Sequence, residues 1–372
     1  MPVPTNTNSP AEALGRTQRL QPGRGWTRRL AETPEIGVIT ACIVVFLAVW
    51  ADKNRFADPG NLSEMSRNLA EFGILALGES LVILTGGIDL SVGALAALSG
   101  VFSAWLFVQA GLPLVLCVVL TLLLCAAVGA MHGLFVTRLN VPPFVITLVT
   151  FTAARGGAEA ITHSVPISIS GQAFMDLSQQ SVLGIPLPAL MFVLVAAAAW
   201  FFLERMYLGR QTYAVGGNAE AARLAGVNVG RRVIWTYVTS AVLAGVVGIL
   251  IAGRLGLGDP SVASGYELDA IAAAVIGGVS LLGGQGRVIG IVAGSVLLVI
   301  INDALIVLNV SPYYQQIVLG AVLGVAITID RVRAKRLGRA RRPVRARAGR
   351  ATRPPAEAAP EDSPGELRTP TR

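Results

Sequence analysis

The sequence predicts an all-α integral membrane protein of about ten transmembrane helices, with glycine-rich broken or re-entrant segments among them. Three observations lead there. Of the 372 residues, 53 % are apolar and 14 % charged, against about 25 % charged in an ordinary soluble domain. Charge is also segregated: of 30 Lys and Arg, 5 precede residue 36, 13 follow residue 330, and 12 are spread over the 295 residues between. Finally, that middle divides into apolar runs of about 20 residues, the length that crosses a hydrocarbon core roughly 30 Å thick.

Taken in order, the spans fall near 34–51, 68–86, 90–109, 113–137, 142–160, 187–204, 233–253, 268–283, 287–308 and 313–330. The first is read as an uncleaved span, because it comes late for a signal peptide and lacks a small-residue cleavage site. Segment 268–283 is short and glycine-rich, so nine spans plus a re-entrant element is the competing count. Basic residues mark cytoplasmic loops. The loop 205–232 holds Arg205, Arg210, Arg223, Arg231 and Arg232, whereas 161–186 holds no Lys or Arg. An even number of spans then puts both basic tails in the cytoplasm. Residues 1–33 and 332–372 read as basic, disordered cytoplasmic tails around a membrane-spanning body at 34–331, their polarity being too high to bury a core. The pI near 10 is assigned to anionic lipid beside the spans, not to nucleic acid.

Several chemistries find no residues. The pattern G-x-x-x-x-G-K-[S/T] is absent, so the chain has no P-loop for ATP. His132 and His163, the only histidines, lack metal-ligand spacing. Cys42, Cys117 and Cys125 lie in apolar runs and read as buried hydrophobes. No cofactor or catalytic residue is assigned. Polar groups within the spans are more informative, since each costs about 2.5–3.5 kcal/mol at a helix centre and usually faces the bundle interior or an aqueous path. These are Glu71, Glu79, Asp89, Arg155, Glu159 and Asp303. Glu71 and Glu79 share a helix face, and Arg155 is placed to pair with Glu159. The acids look scattered, with no membrane histidine relay, which counts against an ion-coupled secondary transporter, the alternative function. In the 205–232 loop, Asn218 reads as an N-cap, residues 219–225 as a short helix and Gly226 as its end. Glycine pairs such as Gly86-Gly87 and Gly277-Gly278 suit close helix contact or breakage. Gly86–Gly93 and Gly277–Gly284 also share a loose G-G-aliphatic-x-L-x-x-G pattern.

Five stretches together resemble one family. LVILTGGIDLSVG (81–93), NVPPFVITLVTFTAARG (140–156), YAVGGNAEAARLAGVNV (213–229), AAAVIGGVSLLGGQG (272–286) and SPYYQQIVLGAVLGVAITID (311–330) are similar to the monosaccharide (ribose/xylose-type) permeases of ATP-binding-cassette importers. The resemblance covers about residues 36–331. It implies a dimer, of two copies or with a paralogous permease, in the bacterial inner membrane. It also implies two partner ATPase subunits that bind the ATP, and a periplasmic or lipoprotein solute-binding protein that delivers the solute. By the same resemblance, Gly216, Gly217, Asn218, Glu220, Ala221, Ala222 and Gly226 belong to a coupling helix that docks on the ATPase. Gly86, Gly87, Asp89, Ser91 and Gly93 belong to a translocation core, to which Glu79, Asn302 and Asp303 are added as polar groups of the adjoining spans. Arg287, Asp303 and Glu79 depart from the usual residues of that family, which leaves the solute open among monosaccharides and similar small polar molecules.

Overall fold

The computed structural model describes residues 34–340, so the N-terminal tail and most of the C-terminal tail lie outside the described residues. The chain divides at Asp330 into two units. The first consists of helices α1 (Pro34–Asp52), α2 (Pro59–Leu84), α3 (Val92–Val108), α4 (Leu114–Arg138), α5 (Pro143–Thr162), α6 (Gln172–Gln179), α7 (Leu187–Trp200), α8 (Tyr207–Gly217), α9 (Ala219–Leu224), α10 (Val229–Leu255), α11 (Tyr266–Ile276) and α12 (Val288–Val307). It ends within α13 (Pro312–Ala340). Of the second unit, the described residues are the last part of that helix. Four two-residue strands pair antiparallel: β1 (Ile167–Ser168) with β4 (Leu257–Gly258), and β2 (Ser181–Val182) with β3 (Ile185–Pro186).

Among the described residues, six helices are long and apolar enough to cross a membrane: α1, α4, α5, α7 with its π-helical extension to Arg205, α10 and α12. In α1, α4, α5 and α7 burial is inverted relative to a water-soluble bundle. On α4, Val115, Val119 and Leu123 are exposed, as are Phe144, Leu148 and Val149 on α5 and Val193 and Leu194 on α7. Such continuous apolar exposure belongs against lipid. The interior is built by α2, α3, α10, α11 and α12. α10 packs on α4, α3 and α2, while α2 also meets α11, α12 and α7. Small residues allow the close crossings. Gly248 of α10 faces the Ala96 carbonyl and Ser99 of α3, and Gly129 and Gly133 of α4 face the backbone of α10 at Tyr237 to Ile234.

Three elements depart from the spans read in the sequence. α13 runs on to Ala340, ten residues past 330, so residues 332–340, read as disordered tail, are helical. α2 starts at Pro59, nine residues before 68, because Pro59 sits at its first turn, where its fixed φ and missing N–H cost nothing. The eighth span shrinks to α11. It ends at Ile276, and residues 277–287 are non-helical. Eleven residues rise only about 16 Å. Gly277 lies against the Gly290 carbonyl with no room for a side chain, and Gly278 takes φ +88°. The glycines break the helix where hydropathy alone runs on.

Candidate functional site

The loop that leaves α2 begins with Gly86 at φ +88°. The Gly87 N–H bonds back to the Val82 carbonyl at 3.1 Å, a helix-end closure that satisfies one orphan carbonyl. The loop then turns on Asp89, whose Oδ1 accepts the Ser91 N–H at 2.9 Å and the Ser91 hydroxyl at 2.6 Å. Asp259 does the same for Ser261 after α10, so one Asp-x-Ser turn is used at two helix breaks. Glu79, one and a half turns before the end of α2, accepts the Asp89 N–H at 3.1 Å.

Glu79, Asp89, Ser91 and His132 are fully buried, and Tyr237 closes the cluster from α10. His132 on α4 places Nδ1 4.0 Å from Asp89 Oδ2, bonds Thr150 of α5 through Nε2 at 2.7 Å and meets Tyr237 edge-on at 5.9 Å. Four helices and the loop therefore converge on one polar cluster. Burying two carboxylates is costly unless charge and hydrogen bonds compensate, so this cluster holds the loop against one defined set of neighbours. Two of the acids read as scattered in the sequence, Glu79 and Asp89, thus meet here, while Glu71, Glu159 and Asp303 lie elsewhere. His132 is the group that reading missed, and the same rule that singles out carboxylates inside apolar spans applies to it. Gly93 is the close-approach point on the other side of the loop: it faces the Glu267 carboxylate.

Asn302 and Asp303 stand apart from this cluster. Asp303 accepts a hydrogen bond from Asn61, at the start of α2, at 2.7 Å; Asn302 beside it is half-buried. Asn61 and Glu79 are separated by roughly 27 Å along the helix. Glu71 pairs with Arg254 of α10 at 3.1 Å. The expected Arg155–Glu159 pair does not form. Arg155 instead donates to the carbonyls of Pro260 and Val262, and Glu159 is exposed.

The second group sits in the 205–232 loop. The Asn218 side chain accepts the Ala221 N–H at 2.9 Å, and Gly226 follows the helix at φ +82°. The N-cap and terminator are those read in the sequence, with α9 one residue shorter. Ala222 is buried in one apolar cluster with Val82, Val215, Val233 and Tyr237, and α9 packs on α8 and α10. Its other side is open: Glu220 and Arg223 pair at 3.1 Å with side chains 70 % and 66 % exposed, and Leu224 is 83 % exposed.

Gly216 and Gly217, at the end of α8, join these two groups. A Cβ on Gly216 would strike the Leu84 carbonyl, and one on Gly284 would come within 2.6 Å of the Gly217 nitrogen. The Gly284 N–H donates to the Leu84 carbonyl at 3.0 Å, and the Tyr213 hydroxyl donates to the Gly286 carbonyl at 3.0 Å. Three chain segments thus meet backbone to backbone: the end of α2, the end of α8 just before α9, and the 277–287 loop. Burial and the Glu204 carboxylate push the Tyr213 phenol above its ordinary range, with Arg287 opposing.

The family described as "Branched-chain amino acid transport system / permease component" matches residues 61–327. The ribose import permease protein RbsC of Bacillus subtilis (strain 168) is 37 % identical over 300 residues, covering 80 % of this chain and 92 % of that protein. RbsC of Escherichia coli (strain K12) is 38 % identical over 296 residues, 78 % of this chain and 92 % of that protein. The D-allose transport system permease protein AlsC of the same strain is 35 % identical over 280 residues, 75 % and 86 % of the two chains. No solved structure matches. These relatives are named as permeases of an import or transport system, which leaves the ion-coupled alternative without support. With most of its length matched to the family and to these relatives, the chain belongs to the membrane-permease component family of ATP-binding-cassette importers.

Proposed function

We propose that this chain is the membrane-spanning subunit of an importer for a monosaccharide or similar small polar solute. Partner ATPase subunits bind and hydrolyse the ATP, and a solute-binding protein delivers the cargo. In this reading the body 34–331 crosses the bacterial inner membrane ten times as a multi-pass protein, with a second copy or a paralogue beside it and both termini in the cytoplasm. The eighth of these crossings is a broken one, made by α11 together with the glycine-rich, non-helical 277–287 segment. The monosaccharide assignment follows the relatives, which carry ribose and allose in their names.

The observation that carries the mechanism is the glycine junction. α9 offers an exposed acid-headed face, while the residue pair just before it touches both the α2 end and the 277–287 loop without intervening side chains. ATP can shift a conformational equilibrium only through different affinity for its two states. Closure of the ATPase pair on α9 then moves Gly216 and Gly217. The α2 end and the loop Gly86–Ser91 move with them, because packed backbone transmits displacement with little slack. Glu79, Asp89 and Ser91 hold that loop in one of its two positions. Specificity sits mainly with the delivering protein, and the path needs only weak contacts.

Replacing Glu220 with Lys reverses the charge of the docking face, and replacing Gly226 with Leu strains the end of α9. Both variants should insert and fold normally. Each should lose solute uptake and solute-stimulated ATP hydrolysis by at least about tenfold, the effect of ~1.4 kcal/mol at the coupling step. Normal uptake and stimulation by both variants would remove α9 from the mechanism.

A further inference from the structure

Beside the 205–232 loop, α2, α7, α8 and α10 enclose a groove of about 590 Å³. We propose that it binds the phosphate headgroup of an anionic membrane phospholipid. Gly226, which ends α9, is among the groove's lining residues, but the proposal concerns binding and its test reads lipid retention, not coupling.

The charge is unusual for its place. α10 opens with Arg231 and Arg232 and has no acid in its first turn. A helix N-terminus already carries a partial positive charge, so cations there are unfavourable unless an anion compensates. Among the described residues neither arginine has a carboxylate partner. Arg232 is 7 % exposed and lines the groove. It spends one N–H on the Gln211 side chain at 3.1 Å, while its buried Nε has no partner. A buried guanidinium with an unspent donor needs a strong acceptor, and a phosphate matches its planar fork.

The remainder of the groove selects a lipid source for that phosphate. Leu81 and Phe202 form an apolar wall behind the arginines, and Trp235 stands at the rim, 57 % exposed. Phe201, beside the groove-lining Phe202 in the chain, is 56 % exposed. A tryptophan at headgroup depth with arginines on one side and an apolar surface on the other suits an acyl chain below a phosphate. Basic pockets between spans are a recurring form of anionic-lipid site. A free anion would gain nothing from the apolar wall.

The test uses the full chain, purified in detergent, exchanged into phosphatidylcholine and titrated with phosphatidylglycerol, with retained lipid counted by native mass spectrometry. The wild-type chain should retain phosphatidylglycerol in preference to phosphatidylcholine. Arg232→Gln and Arg231→Gln should each weaken retention roughly fivefold, as loss of one basic group near a lipid surface implies. Arg231 is exposed, so its variant stands even if Arg232→Gln folds poorly. Arg205→Gln and Arg210→Gln, on the same loop but outside the groove, should change retention less than about twofold.

Wild-type retention in the Arg231→Gln/Arg232→Gln double variant would overturn the site. Equal losses in the controls would do so too, by showing a diffuse surface effect. Displacement of the lipid by inorganic phosphate would assign the groove to a soluble anion instead. Disulfide linkage between two Trp235→Cys chains would assign it to a second copy.

Discussion

At the scale of single residues, the cluster around Asp89 separates what spacing can reveal from what it cannot. Asp89 is legible because an acid in an apolar run must have a reason. Its partner His132 is 43 positions further on, and only the packing of α4 on α10 brings it close. The Arg155–Glu159 pairing fails for a related reason. A four-residue offset brings two side chains within reach, but Arg155 finds two carbonyls in the loop after β4 instead. Asp89→Ala should destabilise the protein by about 2–4 kcal/mol, because the Ser91 N–H and hydroxyl lose their acceptor inside the body. Glu79→Gln should cost far less, since an amide oxygen can still accept the Asp89 N–H. Thermal melts of both variants in detergent check this, and equal melting temperatures would show that the loop does not depend on Asp89. Gly216→Leu belongs to the same scale. The Leu84 carbonyl occupies the space, and overpacking of this kind costs about 1–3 kcal/mol. Uptake should fall further than stability, because the collision lies at the junction itself.

At the scale of elements, α9 was readable almost to the residue and α11 was not. A six-residue helix has no stability of its own, so its limits must be written locally, by Asn218 at one end and Gly226 at the other. Asn218→Ala should remove about 1 kcal/mol of helix stability and lower solute-stimulated ATP hydrolysis by roughly fivefold at unchanged insertion. An unaltered stimulation ratio would mean that α9 is held by its ATPase partner, not by its cap. The end of α11 is set differently. No charged residue interrupts 277–286, so hydropathy continues through the break. The cause is tertiary: the Gly277 backbone lies against the Gly290 carbonyl of α12. Glycine pairs mark where a helix is able to break, and the neighbour decides whether it does. The Gly86–Gly93 and Gly277–Gly284 patterns share this outcome with a one-residue offset, since Gly86 and Gly278, the first and second glycines of their pairs, each take φ +88°.

At the scale of the whole molecule, orientation is the property most open to direct measurement. The loop 161–186 has no Lys or Arg, while 205–232 has five Arg, and the positive-inside bias places these on opposite faces. The structure supplies one reporter position in each. Leu183 is 99 % exposed at the turn between β2 and β3, and Leu224 is 83 % exposed at the end of α9. The native cysteines leave a low background, because Cys42, Cys117 and Cys125 are all buried. In intact cells whose outer barrier has been permeabilised, a charged thiol reagent should label Leu183→Cys. Leu224→Cys should react only after the cytoplasmic membrane is opened. α7 alone lies between the two loops, so labelling from the same side would mean that α7 does not cross. That result would remove the even span count and, with it, the cytoplasmic position that α9 needs to meet an ATPase. Opposite-side labelling with Leu224→Cys on the outer face would keep the span but invert the protein, and α9 would then face the delivering protein instead of the motor.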